Sequence, residues 1–383
     1  MTLQDIAFAA RETVLSATGT RLSTGHTYEL VAAGLGFNSK AELTAHGSIL
    51  SLVGVSTRYE DHHDKYMPKQ IICQQIEARH RRLKAPGNAV EIGVAMAVYF
   101  RSELLFGFRV EDLLAHFEIE HEASSTPHSK GTRRLHLPLS EVDLIDPTRL
   151  SLTLEMLESC IPRYAELHHP LASIYSELAH PEADVDPYWY KQSLTGRALE
   201  GVEKEWAESY GRFVLHSERA QHHRKAAASA GKARAMVETM QQDGYEPDMD
   251  ARLRTCMEFV NAGLVAGLAL EANAIDAAIY WFKKSALAGD VQSMRWLVEH
   301  QQRAPTIETW TFVYLSRLLG DDVTASSMRA YHQDGPYHGQ EYDDDLGGGI
   351  YVDGDEAIEL SHLDSESDSF ARTEAQRIHA SLT

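Results

Sequence analysis

The feature that most constrains this chain is a recurrence in its second half. A small residue or Leu followed by Gly returns at Thr195-Gly196, Ala230-Gly231, Ala262-Gly263, Ala288-Gly289 and Leu319-Gly320. Successive glycines thus stand about 30 residues apart, a period typical of helix-pair repeats. Helix-forming stretches precede each Gly: WYKQSLT, RKAAASA, CMEFVNA, WFKKSALA and VYLSRLL. Others follow it: RALEGVEKEW, KARAMVETM, LVAGLALE, DVQSMRWLV and DDVTASSMRAY. A helix that ends on a left-handed glycine and is followed at once by a second helix gives such a pattern. One helix pair cannot bury its own apolar face, so the pattern predicts stacking of successive pairs. Alanines at 226–228, 233, 235, 277 and 278 permit close approach, and Trp189, Trp281 and Trp296 fill the spaces between pairs.

The stretch Asp276-Ala-Ala-Ile-Tyr-Trp281-Phe-Lys-Lys-Ser-Ala286, followed by Ala288-Gly289-Asp290 and Met294, resembles the Sel-like repeat, a tetratricopeptide-type helix pair with the pattern A-x-x-W-[YF]-x-K-A-A-x-x-G-x-x-x-A. Arg224–Met236 is similar in its alanine-rich half and Trp189–Gly196 in its aromatic half. The likeness covers about residues 187–332. The spacings are shorter than is usual for the family, and its glycine-rich inter-helix loop is missing. The resemblance implies an alpha-alpha solenoid that binds a protein partner in its groove, without catalysis or cofactor, in a bacterial protein. Gly196, Gly231, Gly263, Trp281, Gly289 and Gly320 are its repeat-defining positions. Lys283, Lys284, Arg295 and Glu299 fall outside the apolar stripes of their helices and are the expected partner contacts.

The expected fold is all-α in four parts: a helical module over 1–50, a helical region over 51–180, the repeat solenoid over 187–332 and an acidic tail over 333–383. In the first part, helices are predicted over Gln4–Ser16, Tyr28–Leu35 and, opened by Ser39, Lys40–Ala45. Gly36-Phe-Asn-Ser-Lys-Ala-Glu-Leu43 is similar to the core of a short helical module at the N-terminus of various bacterial proteins. Its helix–turn–helix rhythm raises nucleic-acid regulation as a second function. Residues 1–50 hold only Arg11, Arg21 and Lys40 against four carboxylates, which opposes that reading. Further helices are expected at Lys69–Leu83 (with basic residues bunched at its end), Val90–Leu105, Val110–Phe117 and from Leu150 to His180.

Charge separates the C-terminus from the rest. The chain of 383 residues carries a net −20, and residues 331–383 supply 13 acidic and 2 basic side chains. That segment accounts for −11, leaving −9 to residues 1–330. Gly347-Gly-Gly349 and Ser365-Glu-Ser-Asp-Ser369 add to a composition expected to stay largely disordered, with short exceptions at Gly349–Asp353 (strand) and Phe370–Leu382 (helix). A cut near residue 335 is therefore expected to leave the body folded. Such a charge balance also disfavours nucleic acid as a general partner.

Chemistry is sparse by motif. Asp61-His62-His63-Asp64 and His116-Phe-Glu118-Ile-Glu120-His121 hold metal-ligand residue types, and they define the enzyme alternative, a metal-dependent hydrolase within 55–140. Neither has zincin spacing, with two His four apart on one helical face. The sequence has no phosphate loop, nucleophile elbow or dinucleotide fingerprint, so no catalytic, cofactor or metal residue is assigned. Cys73, Cys160 and Cys256 are too few and too scattered for a disulfide framework. With no apolar stretch of membrane-spanning length, the expectation is a cytoplasmic protein binding a protein partner, of unknown identity and oligomeric state.

Overall fold

The computed structural model describes residues 2–51, 69–115, 147–179, 187–258, 260–343 and 347–382. It is predominantly helical and divides into two compact units, Met1–Ala235 and Met236–Thr383. None of its helices is long and apolar enough to cross a membrane, among the described residues.

The first unit opens with α1 (Leu3–Thr18), α2 (Thr24–Gly34) and α3 (Lys40–His46). Thr2 and Asp5 form a reciprocal capping box at α1, and the Ser39 hydroxyl accepts the Glu42 amide at α3. Strand β1 (Gly47–Ser51) follows, then α4 (Lys69–Leu83), α5 (Ala89–Ser102) and β2 (Leu105–Arg109). β1 and β2 pair antiparallel, from Gly47 opposite Arg109 to Ser51 opposite Leu105. Residues 110–115 are helical, and beyond them come α6 (Pro147–Cys160), α7 (His168–Leu178), α8 (Tyr188–Leu194) and α9 (Gly201–Ser229). Ile6, Leu30 and Leu43 share one core with Ile49, Ile72, Ile76, Ile92, Phe100 and Leu152. Helices α1 to α3 thus bury their apolar faces against later elements.

The strand pair departs from the all-α expectation. Both strands are five residues long, too short for an alternating pattern to stand out, and each contains a glycine that a neighbour overlies. A Cβ at Gly47 would lie 2.3 Å from the Phe37 ring, and one at Gly107 would lie 2.4 Å from the Leu35 carbonyl. The Thr153 hydroxyl donates to Ile49 O (2.7 Å) and the Ser48 hydroxyl to Thr153 O (3.1 Å), so α6 holds β1 through buried hydrogen bonds.

Helix α10 (Ala233–Asp243) spans the division between the units. The second unit continues with α11 (Pro247–Thr255), α12 (Ala262–Glu271), α13 (Ile275–Leu287), α14 (Val291–His300) and α15 (Ile307–Leu318). A hairpin of β3 (Arg329–His332) and β4 (Ile350–Asp353) comes next, and α16 (Ser365–Leu382) closes the chain. Helices α12 to α15 each pack on the next in sequence, as in helical repeat proteins, and α16 packs on α15. Residues 309–316 of α15 are all buried, which fits a helix covered by neighbours on more than one side.

Four of the five repeat glycines end helices as expected. Gly196, Gly231, Gly289 and Gly320 have φ of +85°, +97°, +97° and +95°. After each, the next amide bonds the carbonyl five positions back, for example Asp290 N to Ser285 O at 3.2 Å. Gly263 is a correction. It lies in the first turn of α12, which Asn261 caps through the Leu264 amide, and residues 256–258 and 260–261 are not helical. The left-handed terminator nearest to it is Asn273 (φ +57°), where Ala274 N bonds Ala269 O at 2.8 Å. Gly196 and Gly231 belong to the first unit, where α9 is one helix of 29 residues.

The tail is a second correction. The strand expected at Gly349–Asp353 and the helix expected at Phe370–Leu382 are present as β4 and within α16, and residues 358–378 contribute to the core of the second unit rather than staying disordered. Ala371, Ala375 and Ile378, spaced by four and three, are buried with Trp310, Val313 and Leu315. The acidic run Ser365–Ser369 is the first turn of α16, where Asp364 accepts the Glu366 and Ser367 amides (3.1 and 2.9 Å) and carboxylates complement the helix dipole.

Candidate functional site

Two clusters of side chains, one in each unit, are the candidate sites. The first lies on α12, α13 and α14. Asp250 on α11 is buried and accepts the indole N–H of Trp281, which has no exposed surface; Arg254 bonds the same carboxylate at 2.7 and 2.9 Å. The residue after Trp281, Phe282, turns to the other side and stacks on Trp296 with ring centroids 4.2 Å apart. Trp296 in turn stacks on His300 at 5.0 Å.

Phe282 and Trp296 line a pocket of about 420 Å³ together with Gly263, Asp290, Ser293, Arg295, Glu299 and Asp355. Asp290 accepts hydrogen bonds from the Ser285 hydroxyl (2.9 Å) and from Ser293. Gly263 lets α12 approach these groups, since a Cβ there would lie 3.2 Å from Ser285 Oγ. Arg295, with its side chain only 12% exposed, reaches Glu299 (3.1 Å) and Asp355 (3.5 Å) through Nε.

Of the four expected partner contacts, Arg295 and Glu299 meet at this cavity. Lys283 pairs instead with Glu308 at 2.5 Å. Lys284 is exposed, with its ammonium 5.0 Å from the centre of the Trp281 ring. Sequence reasoning missed Asp250, Phe282 and Asp355 as members of the site. The aromatic pair Trp281-Phe282 was the available signal, because adjacent helical residues face directions about 100° apart. Asp355 carried none, since it approaches Arg295 from beyond the β3–β4 hairpin.

The second place is a histidine cluster in the first unit. Glu158 on α6 accepts from the Tyr175 hydroxyl (2.8 Å), from Arg219 (2.8 Å) and from His223 Nε2 (3.5 Å). His223 is buried, stacked on Tyr175 with ring planes 6° apart, and its Nδ1 lies 2.9 Å from His168 Nδ1. Burial pushes Glu158 up, but Tyr175, Arg219 and His223 outweigh it and leave the carboxyl below its ordinary range. Desolvation holds His168, His216 and His223 below the usual imidazole value, with Glu158 offsetting part of the effect at His223. At neutral pH these rings are uncharged.

Among the described residues no group of three or more His, Cys, Asp or Glu is placed to hold a metal ion. The hydrolase candidates Asp61–Asp64 and His116–His121 lie outside the described residues. Burial raises the Cys73 and Cys160 thiols above the ordinary value, which makes them poorer nucleophiles. No family model, curated protein or solved structure matches the chain. The Sel-like resemblance therefore stands on its residues alone.

Proposed function

We propose that the chain is a non-enzymatic scaffold that captures a protein partner on the α13–α14 face of a divergent Sel-like helical stack. The observation that carries this reading is the cavity between Phe282, Trp296 and the Arg295–Glu299 pair. Its lining combines two aromatic rings with polar and charged side chains, which suits recognition of a protruding side chain. A rigid helix-built surface also loses little entropy on binding. Gln292 and Glu299 supply exposed polar and charged groups at its lining, which set register and partner choice more than affinity. Three free thiols accord with a reducing compartment, and we place the protein in the cytoplasm on that ground.

The test is quantitative affinity capture from native extract with the full chain and with Gln292→Lys/Glu299→Lys. A protein enriched by the wild type and lost with the double variant supports this face as the contact. Equal enrichment by both moves the contact elsewhere, and no enrichment by either rejects the scaffold.

A further inference from the structure

Residues 355–364 form neither helix nor strand, yet side chains of the helical stack hold them along their length. Arg295 on α14 donates to the Glu356 carbonyl, Gln302 Nε2 to the Glu359 carbonyl (3.1 Å) and Trp310 Nε1 on α15 to the Ser361 carbonyl (3.1 Å). The acceptors are main-chain atoms, so these bonds read an extended backbone and not a side-chain sequence. Burial alternates as on a strand: Ile358 and Leu360 face the core while Ala357, Glu359 and Ser361 are exposed. Ile358 is the anchor, 5% exposed, in one cluster with Leu297, Trp310 and Val313. Its amide donates to Val323 O at 3.2 Å.

Charge adds direction. The guanidinium that grips the Glu356 carbonyl also faces the Asp355 carboxylate, while the Glu356 and Glu359 side chains point to water. Side-chain donors spaced along a groove, with a pocket for alternate side chains, are how folded domains hold extended peptides. Here the peptide is the chain's own.

We propose that the α14–α15 face is a binding site for an extended acidic segment with an aliphatic anchor, and that residues 355–363 are its resident occupant, which a partner segment of the same chemistry displaces. The proposal rests on the scaffold reading and names the chemistry of the partner. A tethered occupant has an effective concentration of about millimolar order, so a free competitor binds weakly until the resident anchor is lost.

The test is fluorescence anisotropy with a labelled peptide of residues 352–364, titrated into the full-length wild type and into full-length Ile358→Asp. The folded variant is expected to bind at least tenfold more tightly than the wild type. Adding Gln302→Ala to it reverses part of that gain, and a peptide carrying Asp at the Ile position binds neither protein. No binding to a variant with wild-type circular dichroism overturns the proposal. Should Ile358→Asp fail to fold, hydrogen exchange on the wild type decides: millimolar peptide is expected to speed exchange at the Ile358 amide, and an unchanged rate overturns the proposal. Failure here alongside successful capture by the α13–α14 face leaves the scaffold reading intact, because that capture is read through Gln292 and Glu299.

Discussion

Trp281 combines two roles that separate under substitution. Its ring fills the space between helices, and its indole N–H satisfies a buried carboxylate, that of Asp250. Trp281→Phe keeps most of the ring and removes the donor, so a loss of about 1–3 kcal/mol is expected. Trp281→Ala removes both, for about 3–5 kcal/mol. Urea unfolding of the two variants measures the difference, and equal losses would mean that the ring contributes nothing beyond its hydrogen bond. Gly289→Val forces a β-branched residue to φ near +97° and is expected to cost about 1–3 kcal/mol in the same assay. Gly263 carries no positive φ, so no such strain attends its substitution. Trp281 and Gly289 are legible in the sequence because each obeys a local rule. Asp250 is illegible because it meets Trp281 from another helix. Gly263 misleads because a glycine that opens a helix looks the same in one dimension as one that closes it.

Elements with strong periodicity and caps are the legible ones. Helix α4 spans Lys69–Leu83 as expected, and α3 begins at its Ser39 cap. What the pattern of single helices does not convey is how α6, α7 and α9 meet. Their contact places His168, His216, His222 and His223 beside Tyr175 and Glu158, with Arg212 and Arg219 the cations acting on the cluster. His168 and His223 bond through facing Nδ1 atoms, which requires one donor and one acceptor; two charged rings leave no acceptor. The lowered imidazoles fix the sign of the pH dependence. Their folded values lie below the unfolded 6.5, so their contribution is complete above pH 6.5 and is lost as pH falls through the folded values. Glu158, also lowered, adds its own loss only below about pH 4.5. Stability is thus expected to fall as pH drops below 6.5, and His223→Gln to flatten that slope. Denaturant midpoints across this range provide the check, and a wild-type slope retained in the variant would assign the acid sensitivity to other groups.

At the scale of the whole chain, composition was the misleading guide. Thirteen acidic side chains after position 330, with a run of glycines, read as a solvated tail. The count concealed their placement. Asp364, Glu366 and Asp368 gather at the N-terminus of α16, where the helix dipole favours them, while Ala371, Ala375 and Ile378 keep a helical apolar stripe behind them. Asp368 and Arg372 then meet the Tyr314 hydroxyl on α15, Arg372 at 2.9 Å, so that even the charged turn is tied to the stack. A short stripe of small residues carries weak hydrophobicity, and only the receiving surface on α15 makes it a packing face. The consequence for truncation reverses the expectation from sequence. A chain ending at residue 335 loses α16, β4 and the segment anchored by Ile358, and it opens the apolar faces of Trp310, Val313 and Leu315 to water. At about 25 cal/mol per Å² of exposed apolar surface, even about 200 Å² amounts to about 5 kcal/mol, a large part of a domain's net stability. The truncated protein is expected to unfold at a clearly lower temperature than the full chain and to bind a hydrophobic dye before melting. A midpoint equal to that of the full chain, without dye binding, would show that α16 packs on the stack without stabilising it.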